Sequence, residues 1–346
     1  MNSKMETRHN IWFKSSTDMI SDVQDCSVDL VVTSPPYPMV EMWDYLSENN
    51  DAFADIHGML DTVWKECFRV MKPGAYLCIN IGDAVRTVND RFRIYNNAMR
   101  ISQMCEKLGF VPLPPVIWKK PTNSPNKFMG SGMLPAGAYV TLEHEFILIF
   151  RKGTEKRTFN SDEDKLNRRK SAYFWEERNI WFSDIWNVTG TAQHIKNSES
   201  RKRNASYPLE IPYRLINMFS VYGDTVLDPF IGLGTTVNAA ALLGRNSIGF
   251  EIDKSLPVDI WRPEEMNDVV SNRLERHRIF IDEYEKKKNA LLKYYNKNLD
   301  CRVMTKQETD IQLYYTSVIS KKVDGDRSHI SLDVEYRRVE IQNRLI

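Results

Sequence analysis

Short apolar runs and apolar residues at helical spacing alternate along most of the chain. Residues 28–32 form a run rich in β-branched side chains that is too short for a stable helix, which predicts a buried strand. Residues 59–71 place apolar side chains every three or four positions and stop at Pro73-Gly74, which predicts a helix followed by a strand over residues 75–81. This alternation indicates an α/β fold around a parallel sheet.

The same patterns continue to the end of the chain. They predict further strands over residues 10–13, 111–118, 141–150 and 247–250, and further helices over residues 95–108 and 207–219. A long charged helix is expected to run to about residue 295, followed by strands over 311–319 and 330–339 around a hairpin turn at Asp324-Gly325. Residues 38–57 are acidic and aromatic without clear periodicity, and a loop is expected there.

The composition argues against several classes of protein. A chain of 346 residues can bury a large core and suggests one large domain, with or without inserts. No run of eighteen apolar residues occurs, and the polar N-terminus lacks an apolar signal region, so a cytoplasmic location is expected. The five cysteines are scattered and odd in number, which argues against a disulfide framework and against a metal site.

The candidate chemistry lies just after the apolar run at residues 28–32, in Ser34-Pro35-Pro36-Tyr37. The end of such a strand is where ligands bind in open α/β sheets. The two prolines fix φ and remove two backbone donors, so the turn offers carbonyl acceptors beside the serine hydroxyl and the tyrosine ring. This arrangement suits a planar amine, and a proline-stiffened turn without chemistry is the alternative interpretation.

The exocyclic amine of a nucleobase is a poor nucleophile because its lone pair is delocalised into the ring. Acceptors that hold its two hydrogens out of plane return the lone pair to nitrogen, and the Ser34 hydroxyl and the Pro35 carbonyl suit this role. A cationic methyl donor would supply the electrophile, and Tyr37 would stack on a base turned out of the duplex.

These residues resemble the catalytic motif of amino-group DNA methyltransferases. The serine in place of the more common aspartate resembles the N4-cytosine branch of the restriction-modification enzymes, which implies that Ser34, Pro35, Pro36 and Tyr37 are catalytic. No cysteine follows a proline, which argues against methylation of a ring carbon through a covalent step. Methylation of N6 of adenine is the nearest alternative, since the same geometry serves either amine.

A second motif lies far downstream. Residues 225–236 predict a strand, a glycine turn and a helix start in the pattern Asp-Pro-Phe-x-Gly-x-Gly-Thr-Thr, and Glu251 ends the next strand nineteen residues after Gly232. Gly232 and Gly234 are expected to let the backbone approach a ligand, and Thr235 or Thr236 to cap the helix. A dinucleotide oxidoreductase is the competing interpretation, but the third glycine of its fingerprint is absent.

This second motif resembles the S-adenosylmethionine loop of the methyltransferases. In that family the loop lines the methionine side of the cofactor and the acidic residue holds the ribose. The resemblance implies the following cofactor-binding residues: Asp228, Pro229, Phe230, Gly232, Gly234, Thr235 and Glu251. The chain departs from the family at Lys14-Ser15, where the family carries a Gly-Asp pair that contacts the adenine; a capped turn leading into a short helix is predicted there.

The order of the two motifs resembles the β arrangement, a circular permutation of the usual methyltransferase sheet. It implies a Rossmann-like α/β fold with a seven-stranded, mostly parallel sheet. The chain then divides into a catalytic half (1–150), a candidate target-recognition segment (151–203), a cofactor-binding half (204–274) and a C-terminal helix and β-hairpin extension (275–346). For the extension, a packed addition is favoured over a second DNA contact or a dimer surface.

Residues 151–203 are the segment expected to touch DNA. They hold thirteen Lys or Arg and eight Asp or Glu, interleaved with seven aromatic residues. Basic groups find phosphates and aromatic rings stack on bases, whereas a charged face over an ordinary aromatic core is the alternative. Residues 119–137 are expected to form a long loop that either closes over DNA or merely connects two strands, and His144 is expected to be structural.

Together the two motifs predict an S-adenosylmethionine-dependent methyltransferase that modifies N4 of cytosine in duplex DNA and protects host DNA against a cognate restriction endonuclease. Three rivals stay open. They are methylation of adenine N6, a catalytically silent DNA-binding module, and RNA as the substrate.

Overall fold

A computed structural model describes residues 5–47, 51–120, 129–130, 134–189 and 207–339. Within these residues the strands are β1 (Met5–Trp12), β2 (Val28–Thr33), β3 (Met71–Ile81), β4 (Ala84–Val88), β5 (Arg91–Tyr95), β6 (Phe110–Lys119), β7 (Met129–Gly130), β8 (Ala138–Tyr139), β9 (His144–Lys152), β10 (Ile185–Asn187), β11 (Thr225–Asp228), β12 (Asn246–Phe250), β13 (Tyr294–Asn296), β14 (Cys301–Val303), β15 (Tyr314–Val323) and β16 (His329–Arg338).

The α-helices of the described residues are α1 (Ala52–Val70), α2 (Asn97–Lys107), α3 (Asp162–Lys170), α4 (Trp175–Trp181), α5 (Glu210–Phe219), α6 (Thr235–Leu242) and α7 (Pro263–Lys288). Three 3₁₀ helices span Ser16–Ser21, Glu41–Leu46 and Lys306–Glu308. None of the described helices is long and apolar enough to cross a membrane.

The main sheet has ten strands among the described residues, in the order β10-β6-β9-β3-β2-β11-β12-β1-β16-β15. Five of its strands, from β3 to β1 in this order, run parallel to one another, and β9 is antiparallel to both β3 and β6. The predicted α/β fold is confirmed. The seven expected strands run from β6 to β1, and three further strands extend the sheet.

The C-terminal hairpin explains two of the additional strands. Strand β16 pairs antiparallel with β1 from Met5↔Tyr336 to Trp12↔His329, and β15 pairs with β16. The hairpin therefore covers the edge of β1, whose backbone groups would otherwise be unpaired. The predicted hairpin is present, with its strands displaced by a few residues from the expected ranges.

The strand β2 lies at the centre of the sheet, and all six of its residues are buried. Leu30 and Val32 face one layer, which contains α5 and α6, while Val31 faces the opposite layer with α1 and α2. Because neighbouring side chains of a strand point to opposite faces, both faces of β2 must be apolar. This is the physical reason for its apolar run, which is interrupted by the buried Asp29 in an ion pair with Lys72.

Two predicted boundaries near β2 were wrong. Residues 38–57 are not one loop, because Glu41–Leu46 is a 3₁₀ helix and α1 begins at Ala52. The Asp51 side chain accepts a hydrogen bond from the Ala54 backbone N–H at 3.1 Å, which caps the helix earlier than the apolar spacing indicates. In addition, β3 begins at Met71, so that Pro73-Gly74 lie within the strand and not before it.

A hairpin formed by β4 and β5 was not predicted. It pairs with itself in a separate two-stranded sheet, and Asn89 and Asp90 at its tip have φ of 50° and 59°. Both values fit the two-residue turns that suit hairpins. The hairpin leaves the main sheet just after β3 ends at Ile81, which places it at the same edge as the end of β2.

Candidate active site

A cavity of about 370 Å³ lies at the carboxyl ends of β2 and β11. Both sequence motifs line it, so the structure brings together the two halves that lie about 200 residues apart in the chain. The expected site residues on its wall are Ser34, Pro35, Pro36, Tyr37, Asp228, Pro229, Phe230, Gly232, Thr235 and Glu251. Further lining comes from Lys14, Ser15, Ser16, Trp43, Tyr45, Leu46, Met59, Tyr207 and Phe250. Gly234 is not on the wall.

The turn Ser34-Pro35-Pro36-Tyr37 is held by side chains from two other strands. The Tyr37 hydroxyl donates to Glu145 Oε2 at 2.8 Å and accepts from Asn80 Nδ2 at 2.7 Å. Asn80 Nδ2 also donates to Glu145 Oε2 at 2.7 Å, and Glu145 forms an ion pair with Lys120. The position of Tyr37 is thus fixed at its polar end, while its ring remains on the cavity wall.

The directions of these hydrogen bonds determine what Ser34 can do. Burial and the charge of Glu145 raise the pKa of Tyr37 well above its usual range, so its hydroxyl stays protonated and gives its one hydrogen to Glu145. The Ser34 hydroxyl lies 3.2 Å from the Tyr37 hydroxyl and must then be the donor in that contact. Its oxygen has two lone pairs; one faces Asn80 Nδ2 in a long contact of 3.5 Å, and the other remains available to accept a hydrogen from a ligand.

Sequence reasoning missed Asn80 and Glu145. Asn80 lies near the carboxyl end of β3, and the pairing Ile81↔Phe146 places Glu145 beside it. A polar residue in an otherwise apolar strand, at the sheet edge that carries the motif, was a usable signal for Asn80. Glu145 lies next to His144. The His144 side chain is half-buried and contacts the Phe146 ring edge-on at 4.9 Å.

Asp228 ends β11, and its carboxylate is occupied by the protein itself. Its Oδ1 accepts from Thr33 Oγ1 at 2.6 Å and from the Phe230 N–H at 3.0 Å, while Oδ2 accepts from Thr236 Oγ1 and Tyr207. Burial raises the pKa of Asp228, and these four donors oppose that shift. Asp228 therefore stabilises the loop and joins it to Thr33, the residue just before the catalytic turn.

The two glycines of the loop differ in role. Gly232 has φ of 52°, and a Cβ added there would meet nothing within 4 Å, so its backbone borders open space in the cavity. Gly234 has φ of 93°, and a Cβ there would lie 2.8 Å from Val258 Cγ1. The expectation of close ligand approach thus fits Gly232, whereas Gly234 is required by packing and by its left-handed conformation.

The predicted threonine cap of α6 was wrong. Gly234 is the N-cap of the helix and provides no side-chain hydrogen bond. Thr236 instead turns its hydroxyl to Asp228, and Thr235 lines the cavity. A buried carboxylate without donors is costlier than a helix end without a side-chain cap, which accounts for this use of Thr236.

Glu251 follows β12 and faces the loop across the cavity. Its Oε2 accepts from the Gly232 N–H at 3.1 Å and its Oε1 from the Asp253 N–H at 2.9 Å. Burial raises the pKa of Glu251, and the two backbone donors oppose this shift. Each carboxylate oxygen retains a further lone pair, so Glu251 fits a ligand that offers two neighbouring hydroxyls, such as a ribose.

The N-terminal turn forms another part of the wall. Ser15 caps the 3₁₀ helix Ser16–Ser21 by accepting from the Thr17 N–H at 3.3 Å, which confirms the predicted capped turn. Lys14, Ser15 and Ser16 line the cavity. Lys14 forms an ion pair with Asp22, so its charge is partly neutralised by a neighbour.

The described part of the candidate target-recognition segment divides between surface and core: most of its residues, including Trp175 and Phe182, are exposed, but three of its aromatic rings are buried. Phe174, Trp181 and Trp186 are almost fully buried, and β10 joins the main sheet beside β6. These rings cannot stack on a base. Residues 190–203 of the segment, and most of the loop expected over 119–137, lie outside the described residues.

The charged contacts of this segment also point inward. The Glu177 carboxylate accepts two hydrogen bonds of 2.7 Å from the buried Arg273 of α7. His277 Nδ1 of α7 donates to the Glu176 carboxylate at 2.7 Å, and the His277 ring stacks on Phe174 with 3.8 Å between the ring centroids. In the described part of the segment, buried aromatic rings lie under a charged face while Trp175 and Phe182 remain exposed, so a contact with DNA stays a prediction.

No group of three or more His, Cys, Asp or Glu residues within the described ranges could hold a metal ion. The five cysteines are unpaired, and four of them are buried. The cavity wall offers hydroxyl and carboxylate side chains and backbone carbonyl acceptors beside aromatic rings.

Comparison with known proteins gives consistent results. A family model described as DNA methylase matches residues 28–257. The Type II methyltransferase M.MthZI of Methanothermobacter thermautotrophicus is 48% identical over 338 residues, covering 92% of this chain and 93% of that protein. M.MjaI of Methanocaldococcus jannaschii is 49% identical over 281 residues, covering 74% of this chain and 91% of that protein.

A solved structure is similar as well. It is a putative DNA modification methylase from Thermus thermophilus in complex with S-adenosyl-L-methionine, with a TM-score of 0.56 and 33% identity. The match covers 71% of this chain and 90% of that one. The match therefore covers a share of this chain similar in length to the part that carries both motifs.

Proposed function

The chain belongs to the DNA methylase family, a family of amino-group methyltransferases, and on this premise we propose that it methylates the exocyclic N4 of cytosine at a short sequence in duplex DNA. S-adenosyl-L-methionine is the cofactor of the family. The observation that carries the choice of an amine is the Ser34 hydroxyl, whose hydrogen goes to Tyr37 and whose oxygen keeps a lone pair for a ligand beside its long contact with Asn80.

The residues of the chain act by holding the amine. Ser34 Oγ and the Pro35 carbonyl accept its two hydrogens and so return its lone pair to nitrogen. The Tyr37 ring packs against a base that has been turned out of the duplex. Hydrogen bonds of the Tyr37 hydroxyl with Asn80 and Glu145 hold the ring in position. The amine releases its proton after the transfer, so Ser34 need not act as a strong base.

The cavity fits the cofactor at several points. The Glu251 carboxylate would hold the ribose hydroxyls, the open backbone at Gly232 would lie against the methionine part, and Phe230 and Pro229 would pack beside it. When bound, the cofactor supplies an electrophilic methyl group. Lys14 and Ser15 take the place on the wall where the family carries its adenine contact, so recognition of the adenine by this turn differs from the family pattern.

The proposal includes a biological setting. The similar proteins M.MthZI and M.MjaI are named as Type II methyltransferases, which supports a restriction-modification role with a cognate endonuclease that cuts the same sequence. A location in the cytoplasm, together with the DNA, follows from that role. Serine in the catalytic turn favours cytosine as the target base, whereas adenine is the second candidate.

Mass spectrometry of nucleosides tests the proposal. Unmethylated duplex DNA of mixed sequence is incubated with the protein and S-adenosyl-L-methionine, beside Ser34→Ala and a control, Ser320→Ala, whose side chain is exposed on β15. We expect N4-methylcytosine with the unchanged protein and the control, and none with Ser34→Ala. N6-methyladenine as the product would overturn cytosine as the target base. The absence of any methylated nucleoside would overturn the proposed activity on DNA.

A further inference from the structure

The β4–β5 hairpin stands beside the active site and has no role in the chemistry proposed above. Its first residue, Ala84, packs with Met39 and Tyr95, and Met39 follows the catalytic Tyr37 by only two positions. The first and last residues of the hairpin thus pack against the segment that directly follows Tyr37. Its tip at Asn89 and Asp90 is exposed.

The register places three arginines on one face of the hairpin. Arg86 pairs directly with Arg93, and Val88 pairs with Arg91, so these side chains share a face, while Phe92 and its neighbours along the strands occupy the other. Like charges directly opposite each other destabilise an antiparallel pair. A negatively charged partner would offset this repulsion and stabilise the hairpin.

The described part of the chain provides only one such partner. Arg86 donates two hydrogen bonds to Asp44, of 2.8 and 2.7 Å. Arg93 lies over the Tyr95 ring at 4.3 Å, and among the described residues neither Arg91 nor Arg93 has an ion-pair partner. Both are exposed, so two guanidinium groups of this face are left for a ligand.

The arginine face lines a cleft of about 870 Å³ next to the active-site cavity. The 3₁₀ helix Glu41–Leu46 separates the two spaces. Its Asp44 lines the cleft, whereas Trp43 and Leu46 line the cavity. Asp51 also lines the cleft, but it caps α1 by accepting from the Ala54 N–H. A ligand in the cleft therefore lies on the opposite side of this 3₁₀ helix from a base in the cavity.

We propose that the arginine face of the β4–β5 hairpin, through Arg91 and Arg93, binds the phosphate backbone of the DNA duplex beside the nucleotide that enters the cavity. This inference rests on the proposed function. Guanidinium groups match phosphate geometry with paired N–H donors, and a two-stranded ribbon is narrow enough to lie along a groove of DNA. The phosphates would supply the negative charge that Arg91 and Arg93 do not find within the described part of the protein.

A salt series tests this contact. The double variant Arg91→Gln/Arg93→Gln is compared with the unchanged protein in binding to a fluorescently labelled duplex of mixed sequence, with anisotropy as the readout. Since each phosphate contact contributes about 0.9 to the slope of log K against log salt, the slope should fall by about 1.8 and the affinity by about thirtyfold at about 0.15 M salt.

Lys321→Gln/Lys322→Gln is the matched control. It removes two exposed positive charges from β15, which lies six strands from β3 in the sheet. We expect this control to bind the duplex like the unchanged protein, and both double variants to bind S-adenosyl-L-methionine with unaltered affinity. An equal loss in the control would mean that any positive charge serves, and would overturn the inference.

The inference and the proposed function can fail separately. If the unchanged protein methylates DNA while Arg91→Gln/Arg93→Gln keeps its affinity and its salt slope, only the hairpin contact is wrong. If the unchanged protein neither binds nor methylates the duplex, the proposed function fails and the contact fails with it.

Discussion

The two walls of the cavity are built in different ways. The cofactor loop is held mostly by residues of its own half of the chain: Glu251 accepts from the Gly232 N–H, and Asp228 from Phe230, Thr236 and Tyr207. The catalytic turn is held by side chains that are distant in sequence, since Tyr37 contacts Asn80 of β3 and Glu145 of β9. One half of the site is therefore local in the chain, and the other depends on the whole sheet.

One hydrogen bond joins the two walls. Thr33 Oγ1, directly before the catalytic turn, donates to Asp228 Oδ1 at 2.6 Å. Substitutions on either side of this bond should therefore separate binding from turnover, whereas a substitution of the bond itself should affect both.

The largest effect is expected from Ser34→Ala, which removes an acceptor needed only by the target amine. Turnover should fall by about a hundredfold to a thousandfold, as for the loss of one preorganised group in a transition state. Binding of S-adenosyl-L-methionine, measured by calorimetry, should be unchanged because the cofactor wall is intact. Equal losses in turnover and cofactor binding would contradict the division of the cavity into two walls.

Glu251→Gln should have the opposite signature. The neutral amide keeps one acceptor but loses the charge that strengthens hydrogen bonds to ribose hydroxyls, so cofactor affinity should fall by about tenfold to a hundredfold. Turnover at saturating cofactor should change little. Glu264→Gln, an exposed position in the first turn of α7, is the control and should leave both quantities unaltered. A fall in saturated turnover alone would refute the assignment.

Thr33→Val breaks the bond between the walls. The buried Asp228 carboxylate loses one of four donors, which should lower the free energy of unfolding by about 1 to 3 kcal/mol. Denaturant unfolding measures this loss, and kinetics should show that turnover and cofactor affinity decline together. Thr33→Ser keeps the hydroxyl and should retain most of the stability. If the serine variant were as unstable as the valine variant, packing of the methyl group would be the cause instead.

The smallest effect is expected from Gly82→Ala. The new Cβ would lie 3.1 Å from Cε2 of Tyr37 and 3.3 Å from Cγ of Glu145, so the ring must shift by a few tenths of an ångström. Turnover should fall by about threefold to tenfold, since reacting groups tolerate little displacement. Gly58→Ala is the control, because a Cβ on this exposed helical position of α1 meets nothing within 4 Å. That variant should keep full activity and gain roughly 0.5 to 1 kcal/mol of stability.

The sequence by itself determined the features that depend on neighbours in the chain. The apolar run of β2, the Pro-Pro-Tyr turn after it and the strand, glycine turn and acidic residue of the cofactor half all follow from local periodicity and turn chemistry. The α/β architecture followed from their alternation. Even the C-terminal hairpin could be predicted, because Asp324-Gly325 separates two alternating strands.

Only the tertiary structure decided which distant side chains meet. The antiparallel register of β9 against β3 brings Glu145 to Asn80 and Tyr37, and no pattern in the chain specifies that register before the sheet forms. Likewise, the aromatic residues of α4 and β10 have the composition of a DNA-binding surface, yet Trp181 and Trp186 are buried against α5 and its neighbours. The local sequence pattern indicates which side chains favour burial and which favour contact with a ligand. The pairing of strands and the packing of layers decide which of these preferences is met, because both depend on contacts between residues far apart in the chain.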